Sequence, residues 1–368
     1  MTPIDTQPQR PSAAYAAGIA SGRWQRDPAQ EAVLVELDRI HAALRPSEAG
    51  WFARVARQFR RDEAPRGLYL WGGVGRGKTF LVDLFYEHLP LTQKRRVHFH
   101  RFMGEVHARI RDLGERSDPL AEVAEGLAAS LRLLCLDEFF VSDIGDAMIL
   151  GRLLEHLFAR GVTLVTTSNC EPAQLYRDGL QRARFLPAIA LLQRHCAVLH
   201  LRSPNDYRLR SLTQAPTYLV PLDAAAEAAL EACYERLTAD TVRDGEPLRI
   251  NDRTIDTVDS SEGVAWFEFA ALCEGPRAVA DYIEIARDFH TVLLAGVPQF
   301  DRLREDAALR FVHLVDEFYD RNVNLILSAA APATGLYRGE RHAFAFERTA
   351  SRLIEMQSEA YLAREHKP

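Results

Sequence analysis

The chain alternates short apolar runs with stretches that carry an apolar residue at every third or fourth position. Apolar runs such as Leu68–Trp71 and the nearly continuous 131–136 predict buried strands. The clearest periodic stretch predicts a helix that starts at Pro28, with Asp27 as its N-cap. Strands that alternate with helices are typical of a parallel α/β sheet with right-handed crossovers.

The same pattern divides the chain into four parts. Residues 1–30 are loop-rich and predict a flexible N-terminal arm, and residues 31–210 form the α/β core, with one helix expected over 47–60. Residues 211–262 are polar and weakly alternating, so they predict an insertion made of a helix and a small β element. The α/β rhythm returns in a C-terminal extension over 263–368. A helical region is also expected over 173–195.

A weak internal echo links the core to the C-terminal extension. Shifting the chain places Leu133–Arg177 on Leu294–Arg338 without gaps, with Leu175-Tyr176-Arg177 matched by Leu336-Tyr337-Arg338. Two readings stay open. The extension is either a degenerate strand–helix–strand copy, or an unrelated unit that looks alike because the packing of helices on sheets demands it.

Composition excludes several classes of protein. Apolar residues make up 47% and charged residues 26%, as in a globular domain, and the net charge of −6 argues against a protein that coats nucleic acid. The five cysteines contain no C-x-x-C pair, which favours reduced thiols. No apolar run approaches the roughly 18 residues that span a bilayer. A cytoplasmic protein without an integral membrane segment is therefore expected.

One segment carries the signature of a phosphate-binding P-loop, G-x-x-x-x-G-K-T between a predicted strand and a predicted helix. The backbone N–H groups of such a loop and the helix N-terminus bind phosphate oxygens. Lys78 is expected to reach the β- and γ-phosphates and Thr79 to hold Mg²⁺. The predicted nucleotide-binding residues here are Gly72, Gly73, Val74, Gly75, Arg76, Gly77, Lys78 and Thr79.

Asp137 and Glu138 end a buried apolar strand, as a Walker B element does. Asp137 is predicted to hold Mg²⁺, and Glu138 to orient or deprotonate the attacking water. The alternative is a solvated strand terminus. Asn169 ends the next strand and is predicted to help position the water, unless it is only a turn residue.

Arginines follow Asn169 in a cluster. Arg184 is the first choice and Arg182 the second for a guanidinium that stabilises the γ-phosphate of a neighbouring subunit, with Arg177 nearby. The alternative is a solvated basic face.

Taken together, these motifs resemble the AAA+ branch of P-loop ATPases. Longer segments resemble the ZapE cell-division ATPases and their mitochondrial relatives, the lactation-elevated (AFG-type) ATPases, and the resemblance spans about 15–361. The segments that carry it are Pro65–Gly72, Val97–Met103, Gly179–Pro187, Asp206–Arg208 and Arg348–Met356.

The resemblance implies an AAA+-like sheet in the order 5-1-4-3-2 within 31–210. It also implies ATP hydrolysis with Mg²⁺ and a nucleotide-dependent homo-oligomer. The partner would be FtsZ, whose polymers members of the ZapE group destabilise in the presence of ATP. The alternatives are a DNA-linked ATPase of the helicase-loader type and a chaperone or protease adaptor. Arg348 and Arg352 are guesses for the sensor arginine of a lid. AAA+ proteins often hold the adenine upstream of the P-loop, so the resemblance also implies that Gln30 reads the base; the alternative is that Gln30 is part of an ordinary helix start.

Overall fold

The computed structural model describes most of the chain. The described residues are 9–45, 64–73, 75–114, 116–141, 143–203, 209, 212–213, 216–238, 247–251, 253–261 and 263–367. The helix predicted over 47–60 and the P-loop residue Val74 lie outside them. Internal contacts divide the chain into two compact units, Met1–Asn205 and Asp206–Pro368. No described helix is long and apolar enough to cross a membrane.

The first unit contains a five-stranded sheet covered by helices. Its strands are β1 (Gly67–Trp71), β2 (Lys94–His98), β3 (Leu133–Asp137), β4 (Thr163–Ser168) and β5 (Cys196–His200). Its helices are α1 (Pro11–Ala20), α2 (Pro28–Leu44), α3 (Lys78–His88), α4 (Phe99–Leu113), α5 (Pro119–Ser130), α6 (Ile144–Ala159) and α7 (Leu186–His195).

All neighbouring strands of this sheet are parallel, in the order β2-β3-β4-β1-β5. This is the 5-1-4-3-2 order that the resemblance implied, so the predicted α/β core is confirmed. Strand β3 is buried over its whole length, as its apolar sequence predicted. Successive residues of β1 face opposite layers, so Tyr69 packs with Phe99 and Leu136, while Leu68 and Leu70 pack on the α2 and α3 side.

Residues 9–30 of the predicted N-terminal arm are folded, because α1 and the segment that follows it pack within the first unit. The side chain of Tyr15 on α1 is buried, and its ring stacks on Trp24 with a centroid distance of 6.1 Å. Trp24 in turn meets the edge of Phe80 on α3 at 4.8 Å. Contacts among these three aromatic rings, of which Tyr15 is buried and the other two are partly buried, hold this segment against the helix that follows the P-loop.

The prediction of a helical region over 173–195 is wrong in its first half. The chain there forms two short 3₁₀ turns, Pro172–Gln174 and Arg182–Arg184, and α7 begins only at Leu186. Tyr176 and Gln181 have positive φ values of 53° and 58°, which interrupts a helix. The Tyr176 ring packs over Gly179, where a Cβ would lie 2.2 Å from ring atoms.

The second unit contains another five-stranded sheet and a separate β-hairpin. The strands are β6 (Tyr218–Leu219), β7 (Leu248–Ile250), β8 (Arg253–Ile255), β9 (Asp259–Ser261), β10 (Val264–Glu268), β11 (Thr291–Val297) and β12 (Asn324–Ala329). The helices are α8 (Ala224–Leu237), α9 (Val279–Asp288), α10 (Glu305–Asp320), α11 (Ala343–Glu355) and α12 (Glu359–Leu362).

The predicted boundary between an insertion over 211–262 and an extension over 263–368 does not separate two bodies. The sheet order is β6-β12-β11-β10-β9, so β6 and β9 from the predicted insertion pair with strands of the extension. Strand β6 runs parallel to β12, and β9 runs antiparallel to β10. The two segments form one unit because they complete one sheet.

The internal echo has a counterpart in the arrangement of elements. Helix α10 and strand β12 begin and end 161 residues after α6 and β4. The order of neighbouring strands also matches, since β6-β12-β11-β10 in the second sheet corresponds to β1-β4-β3-β2 in the first. The strand register differs, since Thr163 lies opposite Leu133, whereas Asn324 lies opposite Thr291. The two segments therefore share element order and length but not registration, and common ancestry stays a hypothesis.

Candidate functional site

The P-loop lies between β1 and α3, in the strand–loop–helix context that the motif requires. Gly72, Gly75 and Gly77 have φ values of 152°, 72° and 87°, a region that favours glycine. A Cβ on Gly72 would lie 2.6 Å from the Leu201 carbonyl oxygen, so the close approach of two backbones also demands glycine there. Helix α3 begins at Lys78 directly after this loop.

The Lys78 ammonium contacts the backbone of the P-loop in which it is predicted to bind phosphate. Its Nζ donates to the carbonyl oxygens of Gly72 at 2.7 Å and Gly73 at 2.9 Å, and to Asn169 Oδ1 at 3.0 Å. The predicted phosphate-binding lysine and the predicted water-positioning asparagine are thus brought together from β1–α3 and the end of β4. Nothing in the sequence spacing alone placed these two side chains in contact.

Asp137 and Glu138 occupy the end of β3. Asp137 is buried, and its carboxylate accepts from Arg96 Nε at 2.6 Å and from Thr167 Oγ1 at 3.3 Å. The Glu138 backbone N–H donates to the same Thr167 hydroxyl at 3.1 Å. With φ at 51°, Glu138 leaves the strand conformation, and the strand therefore ends at Asp137.

The Glu138 carboxylate retains acceptor capacity. Its Oε2 is buried without a hydrogen-bond partner among the described residues, and His98 Nδ1 lies 4.0 Å away. That separation exceeds hydrogen-bond length. A carboxylate oxygen in this state is able to accept a proton or a hydrogen bond from water, which is what a general base requires.

Two charged residues of the site were missed at the sequence level. Arg96 on β2 joins Asp137 to Asp83 on α3, donating to both carboxylates. Burial raises the pKa of Asp83 to about 7, while the Arg96 guanidinium opposes the shift. The signal was present in the sequence as one acidic residue within the otherwise apolar run 80–85.

Gln30 lies against the P-loop from α2. Its side chain is buried, and Nε2 donates to the Arg76 carbonyl oxygen at 3.4 Å. A Cβ on Gly77 would lie 2.5 Å from the same Nε2 atom. Asp27 caps α2 by accepting from the Ala29 N–H at 2.9 Å, as predicted, and this fixes the helix that carries Gln30.

The candidate arginines lie away from these contacts. Arg182 and Arg184 are on the 3₁₀ turn before α7, and Arg184 is exposed. Arg182 Nη2 donates to the Ala173 carbonyl oxygen at 2.7 Å. Within the described part of the chain, no hydrogen bond or ion pair connects either arginine to Lys78 or Glu138.

The two sensor candidates, Arg348 and Arg352 on α11, are engaged inside the second unit. Both guanidinium groups form ion pairs with Asp316 on α10. Arg352 also lies over the Tyr319 ring, 4.7 Å from its centroid. A packing role explains both contacts, and a sensor role stays a guess.

Comparison with known proteins decides the family. A family model described as AFG1-like ATPase matches residues 9–365. The chain belongs to the AFG1-like ATPase family. It is therefore an ATP hydrolase, and the resemblance to the ZapE group is confirmed.

Relatives of this AFG1-like ATPase span bacteria and animals. Cell division protein ZapE of Escherichia coli (strain K12) is 46% identical over 367 residues, covering 97% of this chain and 98% of that protein. Lactation elevated protein 1 homolog B of Danio rerio is 38% identical over 347 residues, covering 82% of this chain and 69% of that protein. A crystal structure of DnaI is 17% identical, covers 49% of this chain and 89% of that chain, and has a TM-score of 0.36.

The donor set of the AFG1-like site fits a magnesium ion that arrives with a nucleotide. Within the described ranges, no group of three or more His, Cys, Asp or Glu side chains is placed to hold a metal. A dedicated protein cage is therefore absent from that part, and the hydroxyl of Thr79 and the buried carboxylate of Asp137 are the predicted ligands. Mg²⁺ is commonly bound in this way, by one or two protein oxygens together with substrate phosphates.

Proposed function

We propose that this ATPase hydrolyses ATP with Mg²⁺ at the carboxyl edge of the first sheet. Lys78 binds the β- and γ-phosphates, and Thr79 and Asp137 hold Mg²⁺, which supplies charge neutralisation when bound. Glu138 accepts the proton of the attacking water, and Asn169 orients that water. The observation that carries this proposal is the buried Glu138 Oε2, which has no hydrogen-bond partner among the described residues.

Gln30 is proposed to contact the adenine base. Its support is the position of the side chain, which contacts the P-loop backbone at Arg76 and Gly77. Gln30→Ala is expected to weaken ATP and GTP binding unequally. The Gln30 amide has a donor and an acceptor, and these match the hydrogen-bonding groups of one base better than those of the other. Equal weakening of both nucleotides would leave Gln30 as a support for the loop only.

The active form is proposed to be a homo-oligomer in which Arg184, or alternatively Arg182, serves the site of the next subunit. Exposure of Arg184 on a short turn supports this role. The test mixes Arg184→Ala subunits with Lys78→Ala subunits, each of which is expected to be inactive alone. In a mixed oligomer, Arg184 of a Lys78→Ala subunit meets the intact Lys78 site of an Arg184→Ala subunit. Recovered turnover supports a shared site, and no recovery at any ratio contradicts it.

We further propose that hydrolysis in the cytoplasm destabilises FtsZ polymers during cell division. The 46% identity to the Escherichia coli cell division protein over nearly the whole chain supports this choice over the two alternatives. The net charge of −6 disfavours a DNA-linked role, because nonspecific DNA binding depends on cationic residues that neutralise phosphates.

The test compares sedimented FtsZ polymer after addition of this protein with ATP, with a slowly hydrolysed ATP analogue, and with the Glu138→Gln variant plus ATP. Loss of polymer only in the reaction with the wild-type protein and ATP supports the proposal. A parallel measurement compares ATP turnover with FtsZ, with single-stranded DNA and with an unfolded protein substrate. Stimulation by DNA alone, or by unfolded protein alone, would replace the FtsZ proposal with the corresponding alternative.

A further inference from the structure

Arg96 on β2 connects two buried carboxylates. Its Nε donates to Asp137 Oδ2 at 2.6 Å, and its Nη1 donates to Asp83 Oδ1. Exposure is 12% for the Arg96 side chain, 7% for Asp83 and 3% for Asp137. All three charges are largely removed from water, where an unpaired charge is costly, so each depends on the others.

The two carboxylates come from the two elements that frame the nucleotide site. Asp137 ends β3, whereas Asp83 lies on α3 one helical turn after Thr79. The donors of an arginine form a planar fork, which allows one guanidinium to hold two acceptors in fixed directions. Arg96 therefore ties the helix that begins at the P-loop to the strand that ends at the predicted metal ligand.

Stability alone is a poor explanation for this cluster. Asp83 Oδ2 is buried without a hydrogen-bond partner among the described residues, so this oxygen is removed from water without a hydrogen bond in return. Replacing a buried ion cluster by apolar side chains of similar volume is often neutral or stabilising. The position of the cluster beside the predicted metal ligand is better explained by what Arg96 does to Asp137.

We propose that Arg96 is a positioning residue for Asp137. Its Nε fixes Oδ2 and its charge balances the two carboxylates, so Asp137 presents one orientation to Mg²⁺, while Asp83 holds the other side of the guanidinium. The inference rests on the proposed function, because it takes Asp137 to be a metal ligand. Residues that orient a metal ligand typically change metal affinity 10- to 100-fold when they are replaced.

The test measures binding of a fluorescent ATP analogue in EDTA and then in increasing Mg²⁺, without turnover. Arg96→Gln is compared with wild type and with Arg95→Gln. Arg95 is the adjacent residue of β2, but its partner is the partly exposed Glu105, at 2.6 Å. In EDTA, all three proteins are expected to bind the analogue within about twofold of each other. The Mg²⁺ concentration that gives half of the maximal change in analogue binding should rise at least about tenfold in Arg96→Gln, and it should stay at the wild-type value in Arg95→Gln.

A third variant separates charge from geometry. Arg96→Lys keeps the positive charge but lacks the planar fork of donors. Its melting temperature should therefore be closer to that of wild type than the melting temperature of Arg96→Gln is, while its Mg²⁺ requirement stays raised. Arg96→Lys also decides the question where Arg96→Gln does not fold. A normal Mg²⁺ requirement in a folded Arg96→Gln or, failing that, Arg96→Lys protein would overturn the positioning role. A wild-type protein that binds the analogue equally with and without Mg²⁺ would overturn the proposed metal site itself.

Discussion

Replacing Asp83 by Asn should change how the stability of the nucleotide-free protein depends on pH. Asp83 is buried, and burial raises its pKa to about 7 from the ordinary value of 3.8. Between these pH values the folded chain binds a proton at Asp83 that the unfolded chain releases. Stability contributed by this proton is complete below about pH 4 and is lost as pH rises through about 7.

The magnitude follows from proton linkage. One proton bound only by the folded chain changes the free energy of unfolding by at most about 1.4 kcal/mol per pH unit. For a unit of about 200 residues, that is roughly 3–6 °C in melting temperature per pH unit. The melting temperature of wild type relative to Asp83→Asn should therefore fall between pH 5 and 7, with a slope no steeper than this.

The assay is thermal unfolding in EDTA at half-unit pH steps, followed by fluorescence. The difference between wild type and variant cancels the titration of the other carboxylates. Asp178→Asn is the control, because Asp178 is exposed and its replacement should give a curve parallel to wild type. If the curves of wild type and Asp83→Asn are also parallel, the reasoning about the buried Asp83–Arg96 pair is refuted.

Two further substitutions test the packing of each unit. Gly67→Ala should prevent folding of the first unit, because the new Cβ would lie 1.8 Å from the Leu164 carbonyl oxygen. Gly104→Ala is the control, because its Cβ would have no atom within 4 Å and the variant should keep or raise the melting temperature. A soluble Gly67→Ala protein with a normal melting temperature would contradict the strand pairing. Asp281→Ala should destabilise the second unit by roughly 2–4 kcal/mol, measured by urea unfolding, because the buried carboxylate accepts hydrogen bonds from the Ala278 N–H at 2.9 Å, Asn251 at 3.2 Å and Arg253 at 2.7 Å. An unchanged midpoint would show that these hydrogen bonds contribute nothing.

Local patterns in the sequence were sufficient for the elements that carry the nucleotide site. The glycines of the P-loop and the apolar run before Asp137 act over a few residues, so their structure was predictable without tertiary contacts. The sheet order was available only through the resemblance, since strand periodicity does not specify which strands are neighbours.

Contacts between distant segments were not predictable from the pattern. Arg96 reaches Asp83 and Asp137 from a third element, and Lys78 meets Asn169 across 91 positions of the chain. The segment before α2 was mistaken for a free arm because its aromatic residues gain their burial from α3, which follows much later in the sequence. Each of these contacts depends on a partner far away in the sequence, which local propensity does not encode.

The central claim is that Glu138 activates water at an ATP site built on Lys78 and Asp137, and single-turnover release of phosphate from bound ATP tests it most directly. Glu138→Gln is expected to bind ATP as wild type does and to release phosphate about 10²- to 10⁴-fold more slowly, since a positioned general base contributes rates of that order. Glu155→Gln, an exposed residue of α6, is the control and should match wild type. Phosphate release by Glu138→Gln at the wild-type rate would contradict the account.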